Sequence, residues 1–266
     1  MSSAKDIKEL RQRTGVGMLD CKKALEATNS IEEAIEWLRH KGIAKGTAKA
    51  GREATEGVIV IHQENNLYTL MEVNCETDFV SRNKTFQETA EKLAKMMQAD
   101  LLREPSPKIQ DILNQETFRL GEKIAISKVK HVQVDPQKVA VGMYVHNGSQ
   151  KGGIVLIEKP VTDEISEQVA MHMVAMNPLF SKKEDIPEDF KNKEKLRITE
   201  QLATSNKPAA IIERIVQGKL NKLYSEIVLE EQQYALSEKK KERIIDLTKG
   251  ARVIEMHRFE VGVKSK

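Results

Sequence analysis

The feature that most constrains the fold is a pattern that occurs twice along the chain: strand, turn, strand and amphipathic helix. In the first copy, apolar runs at 58–61 and 67–73 flank a polar turn, and a helix with apolar positions between 86 and 97 follows. In the second copy, runs at 139–146 and 154–158 are followed by a helix that opens at Thr162. Alternation with period two predicts strands, and apolar spacing of three to four residues predicts helices. We therefore predict an α+β fold whose core contains two units of this plan.

Three short helices are predicted before this core, in residues 1–41. Ser3 can cap the first helix, and Ser30 opens the third with a capping-box sequence, Ser30-Ile31-Glu32-Glu33. Four glycines between 42 and 57 then predict a linker that is partly helical.

Helices are also predicted within and after the repeated units. One runs from about 109 to 126 and precedes a strand at 129–134. Two polar helices with narrow apolar stripes, between 187 and 224, are separated by Ser205-Asn206-Lys207-Pro208 and predict an antiparallel, coiled-coil-like hairpin. Its charged outer faces favour a protruding arm. The charged run 238–243 predicts a solvated helix face, and 252–261 predicts a final strand.

These elements predict three domains. The first is a three-helix N-terminal domain with its linker, 1–56. The second is an N-terminal core subdomain, 57–138. The third is a C-terminal core subdomain, 139–266, which contains the helical hairpin at about 187–224.

Composition excludes several classes of protein. The chain has no apolar run near the ~18 residues of a membrane span, and Met1 is followed by no apolar signal segment, so we expect a cytoplasmic protein. The net charge is only +3 over 266 residues and aromatics are 4%, which is unlike a dedicated nucleic-acid protein. Cys21 and Cys75 have no paired spacing and are expected to be reduced and structural.

No motif for catalysis or cofactor binding is found. The chain has no P-loop, no HExxH spacing and no Gly-x-Ser-x-Gly, so we expect no catalytic residues, no bound metal and no cofactor. His172 lies among methionines at helical spacing and is expected in the core. His146 lies at a predicted hairpin tip, where contact with a partner is expected.

The segment 74–80 places an acid and a large aromatic side by side where a strand meets a helix. Phe79 can be an anchor that fills a partner's pocket, with the Asp78 carboxylate repelling or competing for the ligands of a cation. Alternatively, Phe79 folds back into its own core and Asp78 caps the helix. The residues alone leave both interpretations open.

Two long segments resemble the elongation factor Ts family of bacteria and organelles. They are 9–25 (ELRQRTGVGMLDCKKAL) and 72–80 (EVNCETDFV), with weaker support from 170–175 (AMHMVA) and 258–262 (RFEVG). The resemblance covers the whole chain in order, although Leu19 stands where many members have methionine.

The resemblance implies a translation factor that promotes guanine-nucleotide exchange on the GTPase elongation factor Tu. The family's N-terminal helices contact the GTPase nucleotide domain, which points to Arg11, Val16, Met18 and Leu19. Its Thr-Asp-Phe-Val motif disturbs the magnesium site, which corresponds to Thr77, Asp78, Phe79 and Val80. A histidine at the second hairpin tip supports the same region, which corresponds to His146.

Elongation factor Tu is therefore the expected partner, with no direct nucleic-acid, membrane or small-molecule partner. Two alternatives remain. The three-helix unit, with Met18, Leu25 and Trp37-Leu38, also resembles ubiquitin-associated (UBA) domains, which favours a peptide-binding adapter. An RNA- or ribosome-binding protein that uses the basic N-terminal part would show a steep salt dependence of affinity.

Overall fold

The computed structural model describes residues 3–146, 148–202, 208–237 and 241–263. Over these residues it contains ten α-helices and two three-stranded sheets, so the predicted α+β class is confirmed. Contacts divide them into two compact units. The first unit comprises 3–133, 148–151 and 259–263, and the second comprises 134–146, 152–202, 208–237 and 241–258. The three predicted domains, with their boundaries near 56 and 138, remain a prediction.

The chain begins with three helices: α1 (Ala4–Thr14), α2 (Met18–Ala27) and α3 (Ile31–Lys49). Ser3 caps α1 in a capping box with Asp6, and Gly15 ends it in the left-handed region at φ 70°. The hydroxyl of Ser30 accepts the Glu33 N–H at the start of α3. Both predicted caps are confirmed.

The first sheet has the order β1-β2-β3, and its pairs are antiparallel. Its strands are β1 (Glu56–Glu64), β2 (Leu67–Cys75) and β3 (Ala125–Gln133). The predicted β1–β2 hairpin is confirmed, and Asn65 supplies the positive φ that its tight turn requires.

Three helices lie between β2 and β3: α4 (Asp78–Ser81), α5 (Lys84–Ala99) and α6 (Pro107–Leu120). The predicted extension of α6 to 126 is wrong. Gly121 ends the helix at φ 78°, and Ala125 pairs with Asn74 as part of β3. The apolar face of α5 packs with strand residues into one core, which includes Met71, Val73, Phe86, Leu93 and Met97.

The segment predicted as a partly helical linker is helical over 42–49, where α3 continues. Gly42 and Gly46 lie where α3 packs closely against α6. A Cβ atom on Gly46 would lie 2.2 Å from the side-chain oxygen of Asn114. These glycines therefore permit close helix packing instead of breaking the helix.

Helix α6 also completes the core of the three N-terminal helices. Phe118 is buried there among residues of α1, α2 and α3 that include Leu10, Cys21 and Leu38. Because a three-helix unit has a very small core, one added aromatic ring is a large share of its buried surface.

In the second sheet, β5 lies between β4 and β6. The strands are β4 (Val139–Val145), β5 (Lys151–Glu158) and β6 (Val253–Glu260). Helix α7 (Asp163–Met176) is capped by Thr162 as predicted. It packs closely on β4, since a Cβ on Gly142 would lie 1.8 Å from the Ser166 carbonyl oxygen.

The rest of the second unit is mainly helical: α8 (Glu188–Leu202), α9 (Ala209–Ile227) and α10 (Ile244–Leu247). Ile198 of α8 packs with Val216 and Leu220 of α9. The turn at 205–207 and residues 238–240 of the charged run lie outside the described residues. The rest of that run, 241–243, is not helical, so the helix face predicted there is wrong for those residues.

Candidate functional site

The residues 76–80, here called the corner segment, follow β2 directly and include the first three residues of α4. Helix α4 is one turn long and begins directly after Thr77. The Ser81 N–H donates to the Thr77 carbonyl at 3.2 Å, and the Ser81 hydroxyl donates to the Asp78 carbonyl at 2.9 Å. The side chain of Gln87 in α5 donates to the Ser81 carbonyl at 3.1 Å. The segment is therefore held at both ends by regular structure.

Phe79 and Val80 have opposite environments on this turn. The Phe79 residue is 83% exposed, whereas Val80 is half-buried and packs against the core of the first sheet. The interpretation in which Phe79 folds back into its own core is therefore wrong for the free protein. Val80 anchors the turn, and Phe79 presents an aromatic ring to solvent.

Asp78 is the first residue of α4, and Thr77 occupies the N-cap position. The Asp78 carboxylate lies 3.1 Å from the guanidinium of Arg82, and both side chains are well exposed. An exposed pair of this kind contributes only about 0–1 kcal/mol, so little energy opposes its opening. The carboxylate is thus available for a partner.

Glu122 holds the start of the corner segment. Its Oε2 accepts the N–H groups of Glu76 and Thr77, each at 3.0 Å, and its Oε1 accepts the Thr77 hydroxyl at 2.6 Å. The Thr77 side chain makes no capping bond to α4. Glu122 was missed in the sequence because it lies 45 residues from Thr77 and belongs to no motif.

Glu76 makes the reverse contact. Its carboxylate accepts the Lys123 N–H at 2.6 Å and lies 3.3 Å from the guanidinium of Arg52. The bond from the Lys123 N–H, followed by that from Arg52, holds the pKa of Glu76 below its ordinary value. Burial, helped by the negative charge of Glu122, raises the pKa of the neighbouring Cys75 thiol to about 12.

The N-terminal residues that the resemblance names differ in exposure. Met18 and Leu19, in the first turn of α2, are 58% and 65% exposed, and Arg11 is also exposed. Val16 is only 4% exposed and lies in the core of the three helices. Arg11, Met18 and Leu19 can therefore contact a partner directly, while the Val16 side chain supports the fold.

His146 follows the last residue of β4 in the second unit and is exposed. Its Nδ1 lies 3.0 Å from the Tyr144 hydroxyl, and the two rings are 6.0 Å apart. His172 is almost fully buried, as predicted for a core residue.

The described residues offer no candidate for a metal site or a membrane span. No group of three or more His, Cys, Asp or Glu residues there is arranged to hold a metal ion. No helix in the same part of the chain is long and apolar enough to cross a membrane.

A family model described as elongation factor TS matches residues 76–263, well over half of the chain. The chain belongs to the elongation factor Ts family. Membership implies a nucleotide-exchange factor for elongation factor Tu in translation elongation, which acts by binding and catalyses no chemical reaction of its own. In this family member the match begins at Glu76, the first residue of the corner segment.

Proposed function

We propose that the corner segment promotes GDP release from elongation factor Tu by disturbing its magnesium and phosphate site. Phe79 inserts between structural elements of the GTPase, and the Asp78 carboxylate disfavours the ligand arrangement around Mg²⁺. The exposure of Phe79 is the observation that carries this proposal, because a large aromatic ring on a well-held turn suits a buried hot spot.

Energetics explain why the magnesium site is the effective target. A nanomolar nucleotide corresponds to about 12 kcal/mol of binding free energy. Mg²⁺ neutralises much of the phosphate charge, so a shift of its ligands removes a main part of this energy. By linkage, the nucleotide weakens binding of the exchange factor by the same factor. GTP can then bind and displace the exchange factor.

The other predicted residues are proposed to make separate contacts with the GTPase. Met18 and Leu19 offer adjacent exposed apolar side chains, and Arg11 adds a cation, for contact with the nucleotide domain. His146 supports the region that Phe79 enters. We further propose that α1–α3 form a UBA-like unit. In addition, α8 and α9 are proposed to form a protruding antiparallel hairpin that binds another part of the GTPase.

The test is stopped-flow release of a fluorescent GDP analogue from elongation factor Tu, with wild-type protein and with Phe79→Ala. Loss of a hot-spot side chain costs about 2 kcal/mol or more, which predicts at least roughly thirtyfold slower release. Leu101→Ala is the matched control, since it truncates another exposed apolar side chain of the first unit. Release at the wild-type rate with Phe79→Ala would reject the insertion role.

A further inference from the structure

Two acidic side chains join the corner segment to the chain after α6, and each accepts at least one backbone N–H of the other segment. Glu122 accepts from Glu76 and Thr77, while Glu76 accepts from Lys123. We call this pair of carboxylates, Glu76 and Glu122, the carboxylate clasp. The residues that these bonds join lie 45 to 47 residues apart in the sequence.

We propose that Glu122 is a positioning residue for nucleotide exchange, because it fixes the direction in which Phe79 leaves the corner segment. This inference rests on the proposed function of Phe79 and adds the residue that orients the Phe79 side chain. Glu122 itself acts through the clasp and is not assigned a contact with the GTPase.

The placement of the three donors carries this inference. All belong to Glu76 and Thr77, the residues that immediately precede α4. A single helical turn has no stability of its own in water, so its orientation depends on its anchors. Val80 anchors helix α4 by packing against the core, and the clasp anchors the residues that precede the helix. Bonds to an ionised acceptor are stronger than neutral ones, which suits an anchor that must resist force from a partner.

A cationic side chain pairs with one of the two carboxylates of the clasp. The guanidinium of Arg52 lies 3.3 Å from the Glu76 carboxylate. The Lys123 ammonium donates to the Ala50 and Arg52 carbonyl oxygens at 2.6 and 2.7 Å. The chain after α3 is thus tied to Glu76 through Arg52 and to the Lys123 side chain through two carbonyl oxygens.

A role limited to stability would also involve Glu122, so the experiment must separate the two roles. We would measure GDP release with Glu122→Ala and Glu122→Gln across a range of protein concentrations. Glu91→Ala, an exposed glutamate of α5, is the matched control. The expected result for Glu122→Ala is a saturating release rate lowered about tenfold, equivalent to about 1.4 kcal/mol, with the half-saturating concentration changed less than about twofold. Glu122→Gln keeps one acceptor oxygen, so its saturating release rate should lie between those of Glu122→Ala and wild type.

Amide hydrogen exchange of the free protein provides an independent measurement. Residues 76–81 should exchange faster in Glu122→Ala, while β2 and α5 keep their protection. Unchanged exchange at 76–81 would overturn the positioning role. If Glu122→Ala lost its cooperative thermal transition, Thr77→Val would replace it, since that change removes one hydroxyl bond to Glu122.

A double variant separates this inference from the proposed function. If Glu122 acts through Phe79, then Phe79→Ala combined with Glu122→Ala should release GDP no more slowly than Phe79→Ala alone. Slow release with Phe79→Ala but wild-type release with Glu122→Ala would overturn the clasp inference and leave the proposed function intact. Wild-type release with Phe79→Ala would overturn the proposed function, and the functional part of the clasp inference with it.

Discussion

The ammonium nitrogen of Lys128 lies 2.7 Å from Oε2 of Glu72, a carboxylate that is 2% exposed. The other carboxylate oxygen accepts the Asn74 amide at 2.8 Å and the Gly262 N–H at 2.9 Å. A buried charge is tolerated only when it is paired and hydrogen-bonded, and both conditions are met. This pair holds the segment after β6 against the first sheet, within the first unit.

Removal of the Lys128 ammonium should destabilise the protein, because the buried Glu72 carboxylate then lacks its ion pair. Lys128→Met keeps most of the side-chain length but leaves Glu72 without its ion pair, so we expect a loss of about 3–5 kcal/mol in the free energy of unfolding. Urea denaturation followed by circular dichroism measures it. Lys92→Met on α5 is the exposed control. An equal denaturation midpoint for Lys128→Met and wild type would contradict this account.

Two glycines of the second unit should respond to alanine with opposite signs. Gly142→Ala places a methyl group against the Ser166 carbonyl of α7, and overpacking of this kind costs about 1–3 kcal/mol. Gly218 lies inside α9 with open space around it, so Gly218→Ala should stabilise the protein by about 0.5–1 kcal/mol. Thermal denaturation of the two variants beside wild type measures both changes. Equal shifts would mean that α7 can move away from β4 at little cost.

The stability of the second unit should depend on the protonation of His172. Its Nδ1 accepts the Ala235 N–H at 3.3 Å, so Nε2 carries the proton and donates to Gln232 at 3.0 Å. Burial lowers the pKa of His172 below 6.5, against the smaller opposing effect of the Gln232 bond. A lowered folded pKa means that this stabilisation is complete above 6.5 and is lost as pH falls through the folded value.

We therefore expect the free energy of unfolding to fall more steeply for wild type than for His172→Gln between about pH 7.5 and 5.5. Urea denaturation at both pH values measures the two slopes. The variant is the reference, because other titrating groups contribute equally to both proteins. Parallel slopes would show that His172 is protonated without loss of its hydrogen bonds.

Both thiols should resist alkylation while the protein is folded. Cys21 and Cys75 are fully buried, and burial raises the pKa of each, that of Cys75 to about 12. Only the thiolate reacts quickly, so iodoacetamide near neutral pH should label neither cysteine in the native protein and both in urea. Mass spectrometry of the intact protein counts the labels. A labelled native thiol would show that the corner segment or the N-terminal helices open readily.

Local patterns were sufficient to predict the elements whose partners are close in the sequence. The β1–β2 hairpin follows from two alternating runs and the turn at Asn65. The packing role of Gly42 and Gly46 could not be predicted, because the side chains that they accommodate, Gln115 and Asn114, lie about 70 residues away. The residues 124–126 were assigned to a helix for a similar reason, since pairing of Ala125 with β2 overrides the helical spacing.

The candidate site was predicted only in part, because some of its contacts join segments that are distant in the sequence. Asp78 and Phe79 are conspicuous locally, since an acid beside an aromatic is unusual at a strand end. Whether Phe79 is buried depends on the packing of the whole turn, which sequence spacing does not show. Glu122 and the buried position of Val16 depend on contacts between distant segments, so no local pattern indicated them.

The burial of Phe118 among the N-terminal helices has a consequence for any shortened form of this protein. Cleavage between 50 and 55 would uncover an aromatic ring on the larger fragment, and the released helices would lack a part of their own core. Neither piece is expected to behave as an autonomous module. Met18 and Leu19 are therefore present only in a protein that also contains the corner segment. A partner that binds both regions binds a single intact molecule.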